Sequence, residues 1–494
     1  MEQVSGISSS FLAIERPDMP MAISSVAIYK GQPDDSFPAI RQAFLNGIAH
    51  YPIFRRRLLN VPGRLDHPYW IEDPDFDVDC HLRRLALPQP GNWHQFNLQL
   101  ARLQSTPIHR DRPLWQAFII EGLNGLSGIP KGSFAVVMRA HRAVADAGAL
   151  NDMMMRMHTL EPVTESKNAR AEMCVRENVP VAGQLLMNAL RNNGRRVWQS
   201  RSLWRLGYSR YRQQRHQALD MPELPAVSVT RFNRVPSSYR VVSHYSLDRR
   251  ECETLRRHVA GSSLCDVLLA VIGGALRLYL DRKGELPEQG LVAGCPQRLP
   301  RELQSREQGE QPGLLRLGLH TDYASPLKRL RAMQQETLAA RARDPEGGFA
   351  LMNQTSELVP PLLLNLGASS YLRMGKRTRQ IYNTFITGIR GSDVPLYFAG
   401  AEMLKSFSLA PLLPGCSLVH SVSRWGDDIT IGINACREAL PDPDVYIACL
   451  ADAWEELQAS IAQPPRVEVK VPEAALRKSA AAQGEHIRAV AESA

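Results

Sequence analysis

Moving an acyl group onto a hydroxyl requires a base that collects the alcohol's proton as its oxygen attacks, and a neutral imidazole suits that task near pH 7. The chain holds thirteen histidines. His141 is the most suggestive: it closes the apolar run 133–140, Asp146 follows five positions later, and Ala147 and Gly148 come next. Read from the residues alone, His141 can equally be a buried strand-end histidine and Asp146 a helix N-cap. Between them stands Arg142, whose guanidinium stays protonated at physiological pH and cannot accept a proton. It can pair with Asp146 or another carboxylate, or it can hold the phosphate or carboxylate of an anionic ligand.

The elements that must position these residues follow from periodicity. Strands are expected at 21–30, 69–71, 76–82, 114–121 and 133–142, with helices at 37–57, 91–103 and 149–158. Met153, Met154, Met155 and Met157 then read as helix core, with a lipid-tunnel lining as the other reading. A second set of elements begins with a strand at 239–246, helices at 249–259 and 264–280, and a strand at 290–296. Strands at 384–389, 396–399, 417–422 and 429–435 and helices at 326–342 and 442–459 complete it. Between the two sets, residues 191–216 interleave eight arginines with Trp198, Trp204, Tyr208 and Tyr211. The expected organisation is a lobe over 1–180, a basic and aromatic linker over 181–226, a second lobe over 227–465 and a flexible tail over 466–494.

Composition agrees with two α/β lobes. The chain has 494 residues, 44% hydrophobic and 22% charged, which is enough for two ordinary cores. A net charge of +9 favours anionic partners. Eight cysteines without C-x-x-C spacing indicate neither a zinc site nor a secreted disulfide framework, so a reducing cytoplasm is expected. The amino terminus lacks the pattern of a signal peptide, and no apolar run approaches the roughly 20 residues that cross a bilayer. Membrane contact is therefore expected to be peripheral, carried by Arg195, Arg196, Trp198, Arg201, Trp204 and Arg205. The charge run also reads as a solvated linker helix, and nucleic acid is disfavoured because no recognition motif accompanies it.

The segment His141-Arg142-Ala143-Val144-Ala145-Asp146-Ala147 resembles a degenerate H-H-x-x-x-D-G. That motif marks the wax ester synthase/diacylglycerol acyltransferase family and its wider class of condensation domains and CoA-dependent acyltransferases. The opening SSSFLAIERPDMPMAISSVAIY is similar to the family's first segment. So are Arg112-Pro113-Leu114-Trp115, the run from Cys265 to Ala270, Pro395-Leu396-Tyr397-Phe398-Ala399-Gly400-Ala401, and 408–415. The likeness covers about residues 7–460.

The resemblance implies a two-lobed, CoA-dependent acyltransferase-like α/β fold, with mixed sheets flanked by helices and a tunnel between the lobes. Acyl-CoA is the implied donor, a long-chain alcohol or diacylglycerol the acceptor, and no cofactor is permanently bound. The implied setting is the inner face of the membrane or a lipid-body surface. In the family the second histidine is the base, the Asp holds local structure and the Gly gives the thioester room. Aligned without a gap, these positions are Arg142, Asp146 and Ala147, with Gly148 beside the last. A one-residue insertion would instead make His141 the second histidine. The family's Asn-Asp pair is Cys265-Asp266 here, a structural position, and its Ser-Asn-Val-Pro-Gly-Pro segment reads Thr387-Gly388-Ile389-Arg390-Gly391-Ser392. The expectation is an acyltransferase with weak or altered turnover. The other reading is a non-catalytic binder of acyl-CoA or lipid, or a partner of an active paralogue.

Overall fold

Strands β2 (Ala22–Tyr29) and β7 (Phe134–His141) are buried at every position, because a layer of helices covers each face of the sheet they centre. On one face Ile23, Tyr29, Val136 and Met138 pack with Phe44 of α2 (Phe37–Ala49) and Met153 of α4 (Ala147–Arg156). On the other, Val26, Ile28 and Val137 meet Phe96 and Leu100 of α3 (Trp93–Ser105). This alternation of faces is the two-residue period of a strand. Met153, Met154 and Met157 are core, whereas Met155 faces a cleft described below.

The structure is a computed structural model. It describes residues 1–31, 37–162, 179–196, 198, 227–298, 312–343, 358–374, 381–389 and 391–462. The first sheet is completed by β5 (Leu82–Ala86) and β6 (Trp115–Glu121) on one side. On its other side lie β12 (Tyr397–Phe398) and β13 (Ala401–Leu409). A small sheet of β1 (Glu2–Gln3), β4 (Tyr69–Glu72) and β3 (Arg56–Leu59) stands beside it, and α1 (Gly6–Ile14) follows β1. Residues 182–196 form helix α5.

The second sheet has the order β10-β9-β11-β14-β15-β8. Its strands are β8 (Arg240–Asp248), β9 (Val292–Arg298), β10 (Pro312–Gly318), β11 (Thr384–Ile389), β14 (Leu418–Trp425) and β15 (Asp428–Cys436). Pairing of β11 with β9 and β14 is parallel and the rest is antiparallel, so both large sheets are mixed. Its helices are α6 (Arg249–Arg257), α7 (Leu264–Arg282), α8 (Pro326–Arg343), α9 (Pro361–Met374) and α10 (Pro443–Ala462). No helix among the described residues is long and apolar enough to cross a membrane.

Two expectations need correction. The helix expected over 37–57 stops at Ala49, because Pro52 lacks an N–H and disfavours helical geometry at Tyr51. Arg56 and Arg57 continue instead into β3, where Arg56 pairs with Glu72 at 3.3 Å. The partition at 227 also does not follow the sheets. Strand β13, from the second half of the chain, pairs antiparallel with β2 of the first, with Ser408 opposite Ser25 and Leu409 opposite Ser24.

Candidate active site

The end of β7 is tied down from three sides. The His141 amide donates to Leu114 O at 2.9 Å, and the Arg142 amide donates to Met21 O at 2.8 Å. The strand stops there, and residues 142–144 turn into α4. Asp146 caps that helix: its Oδ1 accepts from the Ala149 amide at 2.7 Å, which satisfies one of the free N–H groups of the first turn.

His141 is fully buried on the face of the sheet that carries Arg139. Its Nδ1 accepts the Ala143 amide at 2.9 Å, so the ring proton sits on Nε2, which lies 3.3 Å from Glu15 Oε1. One nitrogen accepts a backbone amide and the other is buried against the Glu15 carboxylate, so neither is presented to an alcohol. Glu15 is a hub that the sequence gave no signal for. It also accepts the Met21 amide at 3.0 Å and the Arg110 guanidinium at 2.7 Å. Burial alone would raise its pKa, but the His141 ring, the Met21 amide and Arg110 hold it down to about 2. Arg139 donates to Gln116 Oε1 at 3.2 Å and Thr106 O at 2.5 Å, and burial lowers its pKa to about 10 against the charge of Glu15.

Arg142 is half-buried, with its guanidinium 4.7 Å from the centre of the Phe11 ring on α1. Among the described residues it makes no ion pair. Asp146 is close enough for its charge to oppose the lowering of the Arg142 pKa by burial, yet its carboxylate serves the helix cap. The cation lies over an aromatic face, an arrangement favourable by about 1–2 kcal/mol for a partly desolvated guanidinium.

Beside this corner, a narrow open cleft lies at the joint of the lobes. β2 contributes Ile23, Ser24 and Ser25, and α4 contributes Ala147, Leu150, Asn151 and Met155. Ser406, Phe407 and Ser408 of β13 and Ser423, Arg424 and Trp425 of β14 close it. Gly391 completes the wall, where a Cβ would fall 1.5 Å from Arg424 O, so only glycine lets these backbones approach. Ser408 Oγ and Ser423 Oγ are 3.1 Å apart and join the two sheets, and Arg424 pairs with Asp393 at 2.9 Å. Among the described residues, the lining offers hydroxyls, an amide and one guanidinium, with no carboxylate or imidazole, and so supplies no general base.

The sequence-derived positions thus separate. Ala147 lines the cleft, while His141, Arg142, Asp146 and Gly148 stand next to it without lining it. Cys265 is exposed near the start of α7. Asp266 is buried there and forms a reciprocal cap with Ser263, its Oδ2 accepting the Ser263 amide at 2.7 Å. Its Oδ1 accepts Thr337 Oγ1 of α8 at 2.7 Å. Asp266→Ala removes the carboxylate half of the reciprocal cap, leaving the Ser263 amide without its acceptor, and leaves the Thr337 hydroxyl only Gln334 O, at 2.9 Å. It should cost about 1 kcal/mol, read as a lowered denaturant midpoint with an unchanged slope.

Of the surface positions, Arg195 and Trp198 are exposed. Arg196 is not, which corrects its expected membrane contact: it is 7% exposed, with Nη1 2.5 Å from Asp66 Oδ1. Asp66 is itself fully buried, and the pair secures α5 against the small sheet. Arg201, Trp204 and Arg205, and the tail over 466–494, lie outside the described residues.

Comparison with known proteins agrees with this architecture. Residues 4–268 match the model of the wax ester synthase/diacylglycerol acyltransferase catalytic domain, and residues 308–458 match that of the family's C-terminal domain. Two Mycobacterium tuberculosis (strain CDC 1551 / Oshkosh) proteins, provisionally named diacylglycerol O-acyltransferases, are each 28% identical to the chain. One alignment covers 86% of this chain and 89% of the relative, the other 93% and 100%. Among solved structures, the wax ester synthase/diacylglycerol acyltransferase of Marinobacter aquaeolei VT8 superposes with a TM-score of 0.65 at 21% identity, covering 94% of this chain and all of that one. The starter condensation domain of rhizomide synthetase, solved with C8-CoA and Leu-SNAC, gives 0.54 at 13% identity, covering 94% of each chain. At these identities the two structures establish the two-lobed fold.

Proposed function

We propose that this chain, which belongs to the wax ester synthase/diacylglycerol acyltransferase family, transfers an acyl group from acyl-CoA to a long-chain alcohol or diacylglycerol, slowly, because Arg142 stands where the proton acceptor is needed. In that reaction the alcohol oxygen bonds to the thioester carbonyl carbon, the C–S bond breaks, and the alcohol's proton ends on the departing CoA sulfur. A base that carries the proton is worth roughly 10²–10⁴ in rate. The observation that carries the reading is the end of β7: a fully buried imidazole turned to Glu15, then a guanidinium over Phe11. The same reading places the work at the inner face of the membrane or on a lipid body, with acyl-CoA as the donor and no permanently bound cofactor.

Purified protein given palmitoyl-CoA with hexadecanol or a diacylglycerol should release CoA slowly and only when acceptor is present. Saturable binding of acyl-CoA without any acceptor-dependent release would sink the catalytic reading. It would favour a second one, a non-catalytic binder of acyl-CoA or lipid that pairs with an active relative. The specific observation behind that alternative is the cleft, whose lining, among the described residues, holds no group able to accept a proton at neutral pH.

A further inference from the structure

Helix α5 turns one stripe inward and another outward. Leu185 and Ala189 pack on Val61 and Tyr69, and Asn192 Nδ2 and Arg196 Nη1 reach Asp66 at 2.7 and 2.5 Å. At 3.6 residues per turn, Met187 and Leu190 fall on the opposite side, with Leu186 on the flank, and Trp198 stands beyond the helix's described end. Met187, Leu190 and Trp198 are 67%, 69% and 72% exposed, and Arg191 and Arg195 flank them in solvent. A helix fastened to its own protein by a buried ion pair, yet carrying its large apolar side chains outward, is built to cover something apolar. A second helix behaves alike: α9 exposes Leu362, Leu363 and Leu366 at 52–57%. It packs on α1, which follows the strand that pairs with β4, and Tyr69 of β4 lies beneath α5.

We propose that the outward face of α5, centred on Met187, Leu190 and Trp198, docks the protein on an anionic lipid surface. The rings and aliphatic chains enter the headgroup boundary while Arg191 and Arg195 meet the negative charge. Charge selects this occupant over a second copy of the chain. A two-fold contact would press the arginines of two +9 chains together, whereas anionic headgroups neutralise them. The proposal rests on the acyl-transfer reading only for its purpose, the delivery of lipid substrate.

The test is sedimentation of the full-length protein with vesicles of phosphatidylcholine alone and of phosphatidylcholine mixed with phosphatidylglycerol. The wild type should prefer the anionic vesicles. Combining Met187→Ser, Leu190→Ser and Trp198→Ser should weaken binding at least tenfold without shifting the melting temperature, because these side chains are exposed. Leu338→Ser, an exposed position on α8, should bind as wild type. Arg191→Gln with Arg195→Gln should remove the preference for anionic vesicles. Binding by the triple variant within twofold of wild type overturns the proposal. So does a wild type that ignores vesicles but forms a dimer lost in the triple variant, which would assign the face to a second copy. CoA release in detergent micelles separates the two ideas: a chain that sediments but never turns over sinks acyl transfer and leaves docking standing, and an active chain that ignores vesicles does the reverse.

Discussion

Replacing Arg142 by histidine should raise acceptor-dependent CoA release by at least an order of magnitude. The backbone of residue 142 is fixed by the hydrogen bond its amide donates to Met21 O, so the substitution installs an imidazole at the start of the turn that leads into α4. Wild-type release, lacking a side-chain base, should climb with pH and show no plateau near neutrality. The variant should instead level off above the pKa of an imidazole, about 6.5 when unperturbed. Ala147 lines the cleft, so adding Ala147→Gly removes a methyl group from the lining and should raise the rate again. A rate in Arg142→His equal to wild type would mean that the missing proton acceptor is not what limits turnover.

The second large effect belongs to Glu15. Glu15→Ala withdraws the carboxylate that the buried Met21 amide and His141 Nε2 face, while the more exposed Arg110 keeps Leu12 O. Leaving the buried Met21 amide and His141 ring without that acceptor costs about 1–3 kcal/mol, enough to lower the melting temperature by several degrees. The same carboxylate gives the wild type a pH signature. Its folded-state pKa is depressed from the ordinary 4.5 to about 2, so its contribution is fully present above about pH 4.5 and is lost as pH falls towards 2. The size is of order 3 kcal/mol. Glu15→Gln, with nothing to titrate there, should show a visibly flatter loss of stability between pH 4.5 and pH 2.5. An unchanged acid slope in that variant would show that Glu15 is not the group responsible.

The legible parts of the molecule were those written locally. Strands β6 and β7 announce themselves as β-branched and apolar runs, and α4 begins where Asp146 precedes small residues. The spread of family-like segments over both halves pointed to two mixed α/β lobes, and the sheets have that character. What escaped was long-range. Arg196 sits inside a run of arginines and reads as a surface charge, because its partner Asp66 is 130 residues away. Glu15 looked like an incidental charge near the amino terminus, since Arg110, 95 residues on, completes its site only in the fold. Strand β13 scatters its five apolar positions among Glu402, Lys405 and two serines, with Met403 and Leu404 side by side, a pattern without the clean alternation that marks a strand. It becomes a strand because β2 offers it an edge and Phe407 and Leu409 reach the core. The cleft escaped for the same reason, as its serines come from three strands far apart in the chain.

That borrowed strand has a consequence for how the polypeptide can be made. Until residues near 409 have left the ribosome, β2 ends the first sheet with bare amide and carbonyl groups, a template for any stray extended segment. Contacts between opposite ends of a chain also form late, after much loop entropy has been lost. Fragments cut between the lobes should therefore aggregate when expressed singly, and recover solubility when the missing piece is synthesised alongside.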